Sequence, residues 1–212
     1  MNGDRDRRSR EVKRETILEA ALECFAAFGF RGTTVDMIAG RAGMSKPNLL
    51  YYFGTKQKLH AAVLERTLAQ WLEPLSGMRA DGEPLAEIEA YLERKIELSR
   101  TRPEASRLFA TEIIQGAPHI RGILQGHLRE LVEEKCAVIQ SWIDAGKLAP
   151  VEPLHLVFAI WAMTQHYADY EAQVEALAGR NLNDAAFAQE ARRTMRILLL
   201  RGLEPRDRAS SD

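Results

Sequence analysis

The chain has 212 residues, of which 46% are hydrophobic and 28% charged, and its formal net charge is -1. These values are typical of one or two globular domains rather than a disordered chain. No apolar run approaches the roughly 20 residues of a membrane span, and the charged amino terminus does not resemble a secretory signal. Two cysteines without a CxxC pair argue against a disulfide framework or a zinc site. We therefore expect a cytoplasmic protein with no membrane partner.

Positive charge is concentrated near the amino terminus. Residues 1–60 contain eleven Lys and Arg against seven Asp and Glu, whereas the rest of the chain contains 18 against 23. A basic segment joined to an acidic one is typical of a protein whose first sixty residues meet phosphate, although random scatter of surface charge would also produce it.

Apolar residues recur at helical spacing along most of the chain, with Gly, Pro and capping residues between the segments. The predicted helices lie at residues 12–28, 35–42, 46–53, 56–74, 85–101, 105–115, 120–145, 153–177 and 184–202. The sequence thus predicts an all-α fold of about nine helices. We expect a mobile basic arm at 1–10, a DNA-binding domain at 11–72, a helical body at 73–203 and a polar tail at 204–212.

The segment 34–53 has the pattern of a helix-turn-helix. Ala39 is small enough for two helices to cross closely, and Gly43 tolerates the positive φ of a tight turn. Thr34 and Ser45 can cap the two helices, and the second helix is polar on its outer face, as insertion into a major groove requires. The DNA contacts expected from this pattern are Ser45, Lys46, Asn48, Tyr51, Tyr52 and Lys56.

In the run TTVDMIAGRAGMSKPNLLYYFGTKQKL the chain resembles the TetR family of bacterial repressors. That resemblance implies a homodimer with two such DNA-binding domains, bound to operator double-stranded DNA at successive major grooves. The resemblance also implies that Thr34 contacts DNA. Many members carry a tyrosine where this chain has Leu50, so a contact made there by others is either missing here or made by Tyr51. Tyr51 could instead belong to the core of the domain, and Lys46 and Lys56 could be ordinary solvated lysines.

Polar side chains interrupt the apolar stripes of two body helices. Lys95 shares a face with Ile88 and Leu92, and Gln165 shares a face with Trp161. A buried amide or ammonium needs polar partners, which a planar polar ligand would supply. Trp71 and Trp161 are candidates for the walls of such a ligand site.

The stretches WLEPL, IIQGAP and SWIDAGKLAPVEPLHLVFAIWAMTQHYADYEAQVEAL resemble a TetR-family regulator of pyrimidine utilisation. The resemblance implies a pyrimidine effector, uracil or thymine, and no resident cofactor. Gln165 could pair with the amide-like edge of uracil, and Lys95 could donate to a carbonyl. Alternatively both tryptophans are core residues, Lys95 pairs with a carboxylate such as Glu112, and Gln165 lies in a dimer interface.

Other functions remain open at this point. A TetR-type repressor could respond to a different inducer, such as an apolar drug or an acyl chain, and a helical enzyme or interaction module would not bind DNA at all. We expect no enzyme and no metal site, because the five histidines lack metal-ligand spacing along the sequence. The apolar stripes of the last two helices predict a dimer interface made by Leu154, Val157, Ile160, Met163, Phe187, Ala191, Met195, Leu198 and Leu199.

Overall fold

The computed structural model describes the backbone of residues 2–205 and the side chains of residues 7–205. These residues form helices and no strand, which confirms the predicted all-α class. The helices are α1 (Asn2–Gly32), α2 (Val35–Arg41), α3 (Lys46–Phe53), α4 (Lys56–Ser76), α5 (Pro84–Thr101), α6 (Pro103–Ile114), α7 (Arg121–Ile123), α8 (Arg129–Asp144), α9 (Pro153–Asp169), α10 (Glu171–Ala178) and α11 (Ala185–Leu203), with a π-helical turn (Leu124–Leu128) between α7 and α8.

Three predicted segments differ from the structure. The helix predicted over 120–145 is interrupted at Gly126, whose backbone is non-helical. Helix α1 begins at Asn2, so the described backbone of the expected arm, residues 2–10, is helical. The helix predicted over 153–177 is two helices that meet at Tyr170, whose backbone is non-helical. Of the predicted tail at 204–212, residues 206–212 lie outside the described residues.

The chain divides into two compact units. Unit 1 contains the described residues through Ala69 together with Glu104–Gly122, and unit 2 contains Gln70–Pro103 and the described residues from Ile123 on. In this division α6 lies with the amino-terminal helices, whereas the expected domains at 11–72 and 73–203 place it in the body. The domain bounds expected from the sequence stay a prediction.

The core of unit 1 comes from the apolar face of each amino-terminal helix. Its largest fully buried side chains are Ile17, Phe25, Ile38, Leu49, Leu59 and Leu64. Gly29 ends the regular part of α1 with a φ of 67°, and Gly43 makes the turn between α2 and α3 with a φ of 65°. Both glycines were predicted to do so, because only glycine adopts this conformation without strain.

Unit 2 is built around α5 and α9, with α8 and α10 against α9 and α11 against α5. Two long side chains of α8 also fix the segment before α5: Lys135 donates to the Met78 carbonyl at 3.1 Å, and Trp142 donates to the Ala80 carbonyl at 3.0 Å. None of the described helices combines the length and hydropathy that crossing a bilayer requires.

The turn between α2 and α3 gives a test of the helix-turn-helix. Gly43→Ala should lower the free energy of unfolding by about 1 to 2 kcal/mol, because alanine is strained at positive φ. Gly40→Ala is the matched control: Gly40 is helical and a Cβ there meets no atom within 4 Å, so this variant should gain about 0.5 to 1 kcal/mol. Urea unfolding measures both, and equal effects of the two variants would contradict the assigned turn.

Candidate functional site

Helices α2 and α3 begin at the predicted capping residues. The Thr34 hydroxyl oxygen accepts from the Met37 amide at 3.2 Å, and the Ser45 hydroxyl oxygen accepts from the Asn48 amide at 3.4 Å. Both capping side chains are on exposed residues. Because each hydroxyl uses only an acceptor site for the cap, its O–H stays available to donate to DNA.

The outer face of α3 is exposed, as the sequence predicts. Lys46 and Asn48 are exposed, and Tyr51 is 70% exposed, so Tyr51 is not a core residue. The Lys46 ammonium pairs with the Asp36 carboxylate at 2.8 Å on this open surface. An exposed pair of this kind is worth little and can be exchanged for a phosphate or a base.

Lys56 has a different environment from the one expected. Its ammonium donates to the carbonyl oxygens of Phe30 and Thr33, each at 2.9 Å, and lies 4.4 Å from the centre of the Phe30 ring. Lysine has three N–H donors, so two are used within unit 1. Lys56 therefore joins the start of α4 to the end of α1 and is not a plain solvated lysine. Its expected DNA contact stays a prediction.

The sequence analysis overlooked arginines of α1 that reach α3. Arg10 donates to the Tyr51 hydroxyl at 3.1 Å, and the Arg14 guanidinium lies 4.6 Å from the centre of the Phe53 ring. Arg7, Arg10 and Arg14 line a cleft of about 330 Å³ together with Tyr51 and Tyr52. These arginines follow one another at intervals of three and four residues, which places them on one face of a helix. The signal was missed because they lie in or next to the segment that we expected to be a mobile arm.

Three of the four predicted ligand-binding residues meet in unit 2. Lys95 is 2% exposed, and its ammonium donates to Gln165 Oε1 at 3.3 Å and lies 3.9 Å from the centre of the Trp71 ring. Burial lowers the pKa of Lys95 to about 7, while the negative charge of Asp169 acts in the opposite direction. The Trp71 ring face also favours the charged form, but loss of hydration is the larger effect.

The fourth residue, Trp161, has a partner that the sequence analysis missed. Its indole Nε1 donates to the hydroxyl oxygen of Tyr91 at 2.5 Å. Tyr91 is 2% exposed, and burial raises the pKa of its hydroxyl. Tyr91 precedes Lys95 by four residues and so lies on the same face of α5, which was the signal that could have found it.

The structure corrects two expectations from the sequence: the pairing of Lys95 with Glu112, and part of the predicted dimer interface. Glu112 does not pair with Lys95: its carboxylate contacts His119, and Lys95 contacts Gln165. Four residues of the expected dimer stripes are buried inside unit 2 and cannot meet a partner: Val157, Ile160, Ala191 and Met195. The large apolar side chains that α9 and α11 leave exposed are Leu154, Phe158, Ile197 and Leu198.

A third group of polar side chains lies in unit 1, where spacing along the sequence gave no indication of it. Glu112 Oε2 is 3.0 Å from His119 Nδ1, and Glu112 Oε1 accepts from the His119 amide at 2.7 Å. The His60 ring lies 4.8 Å from the His119 ring, centre to centre. Burial, followed by the charge of His119, lowers the pKa of His60 to about 4, so its imidazole is neutral at neutral pH.

Comparison with known proteins identifies the family of this architecture. Residues 17–63 match the family described as "Bacterial regulatory proteins, tetR family", and residues 64–206 match "YcdC-like protein, C-terminal region". The chain belongs to the TetR family. It is therefore a transcriptional regulator with a helix-turn-helix and not an enzyme.

Individual relatives agree with this assignment. The chain is 48% identical over 202 residues to the HTH-type transcriptional regulator RutR of Escherichia coli, covering 94% of this chain and 95% of RutR. It is 31% identical over 138 residues to the HTH-type transcriptional repressor NicS of Pseudomonas putida, 63% of each chain. The crystal structure of AibR with isovaleryl coenzyme A and operator DNA shares the fold, with a TM-score of 0.69 at 18% identity over 89% of this chain and 98% of AibR.

The buried Lys95 predicts a specific dependence of stability on pH. Its folded pKa of about 7 is below the pKa of about 10.4 expected in the unfolded chain, so between these values the unfolded chain binds more protons and stability rises with pH. Lys95→Met should remove this rise, so its stability relative to wild type should be greatest at pH 6.5 and decline by pH 9.5. Urea unfolding at both pH values, with the exposed Lys58→Met as control, measures the difference; parallel pH dependence of wild type and Lys95→Met would contradict the lowered pKa.

Proposed function

We propose that this TetR-family regulator is a homodimeric, cytoplasmic repressor of pyrimidine utilisation genes, released from its operator by uracil. The observation that carries the effector assignment is the buried Lys95 ammonium held between Gln165 and Trp71. Such a site supplies an ammonium donor, an amide that both donates and accepts, and an aromatic face, all within one unit. The similarity to RutR over almost the whole chain supports the transcriptional-regulator part of the proposal.

The chemistry of uracil matches this set of groups. Uracil is planar, with two carbonyl acceptors and two N–H donors. Lys95 could donate to one carbonyl while the Gln165 amide pairs with an adjacent N–H and C=O, and Trp71 would cover the ring. In the structure Lys95 and Gln165 share one hydrogen bond of 3.3 Å, which the ligand would replace. Thymine differs by one methyl group and offers the same edge.

Repression requires a DNA-binding surface on each protomer and a dimer that presents both surfaces to the operator. Ser45, Lys46 and Asn48 would contact base edges from the start of α3, and Arg10 and Tyr51 would contact the phosphate backbone. The exposed apolar residues Phe158 and Leu198 on α9 and α11 would lie in the dimer interface. Trp71 belongs to the helix that also carries Lys56, so a ligand that displaces Trp71 would act on the helix adjoining the reading surface.

The division of roles on DNA can be measured. Arg10→Ala should weaken binding to all duplexes alike and reduce the slope of log K against log salt by about 1, as loss of a phosphate contact does. Asn48→Ala should instead change which base pairs are preferred, at about 1 to 3 kcal/mol at the affected position. Fluorescence anisotropy across a salt series with operator and scrambled duplexes tests both, and Arg79→Ala in unit 2 is the control. A change of base preference in Arg10→Ala with an unaltered salt slope would contradict this division.

The effector assignment depends on Gln165. Gln165→Ala should weaken uracil binding by about 10- to 100-fold, because a buried edge of the ligand loses its partner. Operator binding without ligand should be unchanged, since the substitution lies in unit 2.

Calorimetric titration of uracil, thymine and a medium-chain acyl compound into wild type and variant makes the comparison, with the exposed Gln173→Ala as control. Equal uracil affinity in wild type and Gln165→Ala would remove Gln165 from the site. Binding of the acyl compound without uracil binding by wild type would assign another inducer.

A further inference from the structure

The cluster of His60, Glu112 and His119 is separate from both the DNA-reading surface and the Lys95 site. His60 lies on α4, Glu112 on α6 and His119 in the segment before α7, and all three belong to unit 1. One candidate ligand atom from each residue lies within 4.8 Å of the other two. Folding therefore brings together three side chains whose imidazole nitrogens and carboxylate oxygens commonly bind first-row transition metals.

The environment of His60 indicates an incomplete site. His60 is 2% exposed, and among the residues that the structure describes its Nδ1 is a buried side-chain atom without a hydrogen-bond partner. A buried polar atom of this kind is costly and calls for a reason. The aromatic rings of Phe25 and Phe30 lie 4.7 and 4.9 Å from the His60 ring, centre to centre, so they restrict its movement but offer no strong acceptor or donor.

We propose that His60, Glu112 and His119 bind one divalent transition metal ion of the zinc type. Two imidazoles and one carboxylate are a ligand set that zinc uses, with the fourth position left to water or a small ligand. The imidazole nitrogens favour zinc, cobalt and nickel over magnesium and calcium, which prefer oxygen. A tetrahedral ion holds its ligand atoms about 3.3 Å apart, so the three side chains would draw together on binding.

An ion could reach the cluster from solvent. A cleft of about 910 Å³ in unit 1 is lined by all three residues, and His119 is the most accessible of them, with 25% of its side chain exposed. Binding would join α4 to α6 and to the segment before α7. Because the ion would bind only the folded arrangement, it should raise the melting temperature of the protein.

The first measurement is metal content. The full-length, tag-free protein is treated with chelator, incubated with Zn²⁺, dialysed and assayed by elemental analysis; one Zn²⁺ per chain is expected, and none with Mg²⁺. Co²⁺ should bind in competition with Zn²⁺ and give the visible absorption of a tetrahedral site. Absence of retained Zn²⁺ from the wild-type protein overturns the proposal.

Variants then locate the ion. His60→Phe keeps an aromatic ring in the contact with Phe25 and Phe30, and His119→Gln alters the more exposed ligand, so at least one variant should fold as judged by circular dichroism. Either should weaken Zn²⁺ binding by at least about 100-fold, since even partners of ligands cost 10- to 100-fold. The metal-dependent rise in melting temperature should be lost with it.

The controls are chosen to exclude other ligands. His155→Ala removes an exposed histidine of unit 2, and Cys136→Ser removes a partly buried thiol; both should keep one Zn²⁺ per chain and the full rise in melting temperature. Retention of Zn²⁺ by folded His60→Phe and His119→Gln, or its loss from either control, would overturn the assignment.

Discussion

Burial of the Lys95 ammonium is the constraint on which the arrangement of unit 2 depends. Lys95 lies on the apolar face of α5 between Leu92 and Ile96, both 1% exposed, so helix geometry directs it inward. An ammonium withdrawn from water needs polar partners, and here they come from Gln165 on α9 and the ring of Trp71 on α4. Three helices therefore meet at one polar point, and a ligand that takes over any of these contacts must alter the others.

Unit 1 solves a different problem, since its outer face must remain free to contact DNA while its helices stay in place. The caps at Thr34 and Ser45 use side chains of the reading face itself, and Lys56 fastens α4 by donating to two backbone carbonyls. Local hydrogen bonds of this kind fix the ends of short helices that have little area to bury. Exposed side chains of α3 that take no part in these caps, such as Asn48, are consequently available to contact DNA.

What the sequence could predict was local. Helix caps, the positive φ at Gly29 and Gly43 and the exposed face of α3 depend on residues a few positions apart, so propensity and spacing were sufficient. The pairing of Trp161 with Tyr91 joins residues 70 positions apart, and no periodicity relates them. The same limit applies to the histidine cluster and to α6, whose position in unit 1 depends on contacts that its own pattern does not encode.

The lowered pKa of Lys95 bears on the kind of ligand that the proposed site would hold. With a pKa of about 7, the buried Lys95 side chain populates both its charged and its neutral form at neutral pH. A carboxylate ligand, such as the head of a fatty acid, would raise this pKa, but its own charge would have to lose hydration on entering the site. A neutral carbonyl needs only a hydrogen-bond donor, which the proposed site provides, and its binding adds no charge to the site. The lowered pKa of Lys95 is therefore compatible with the neutral nucleobase that we propose, since such a ligand does not require the lysine to be charged.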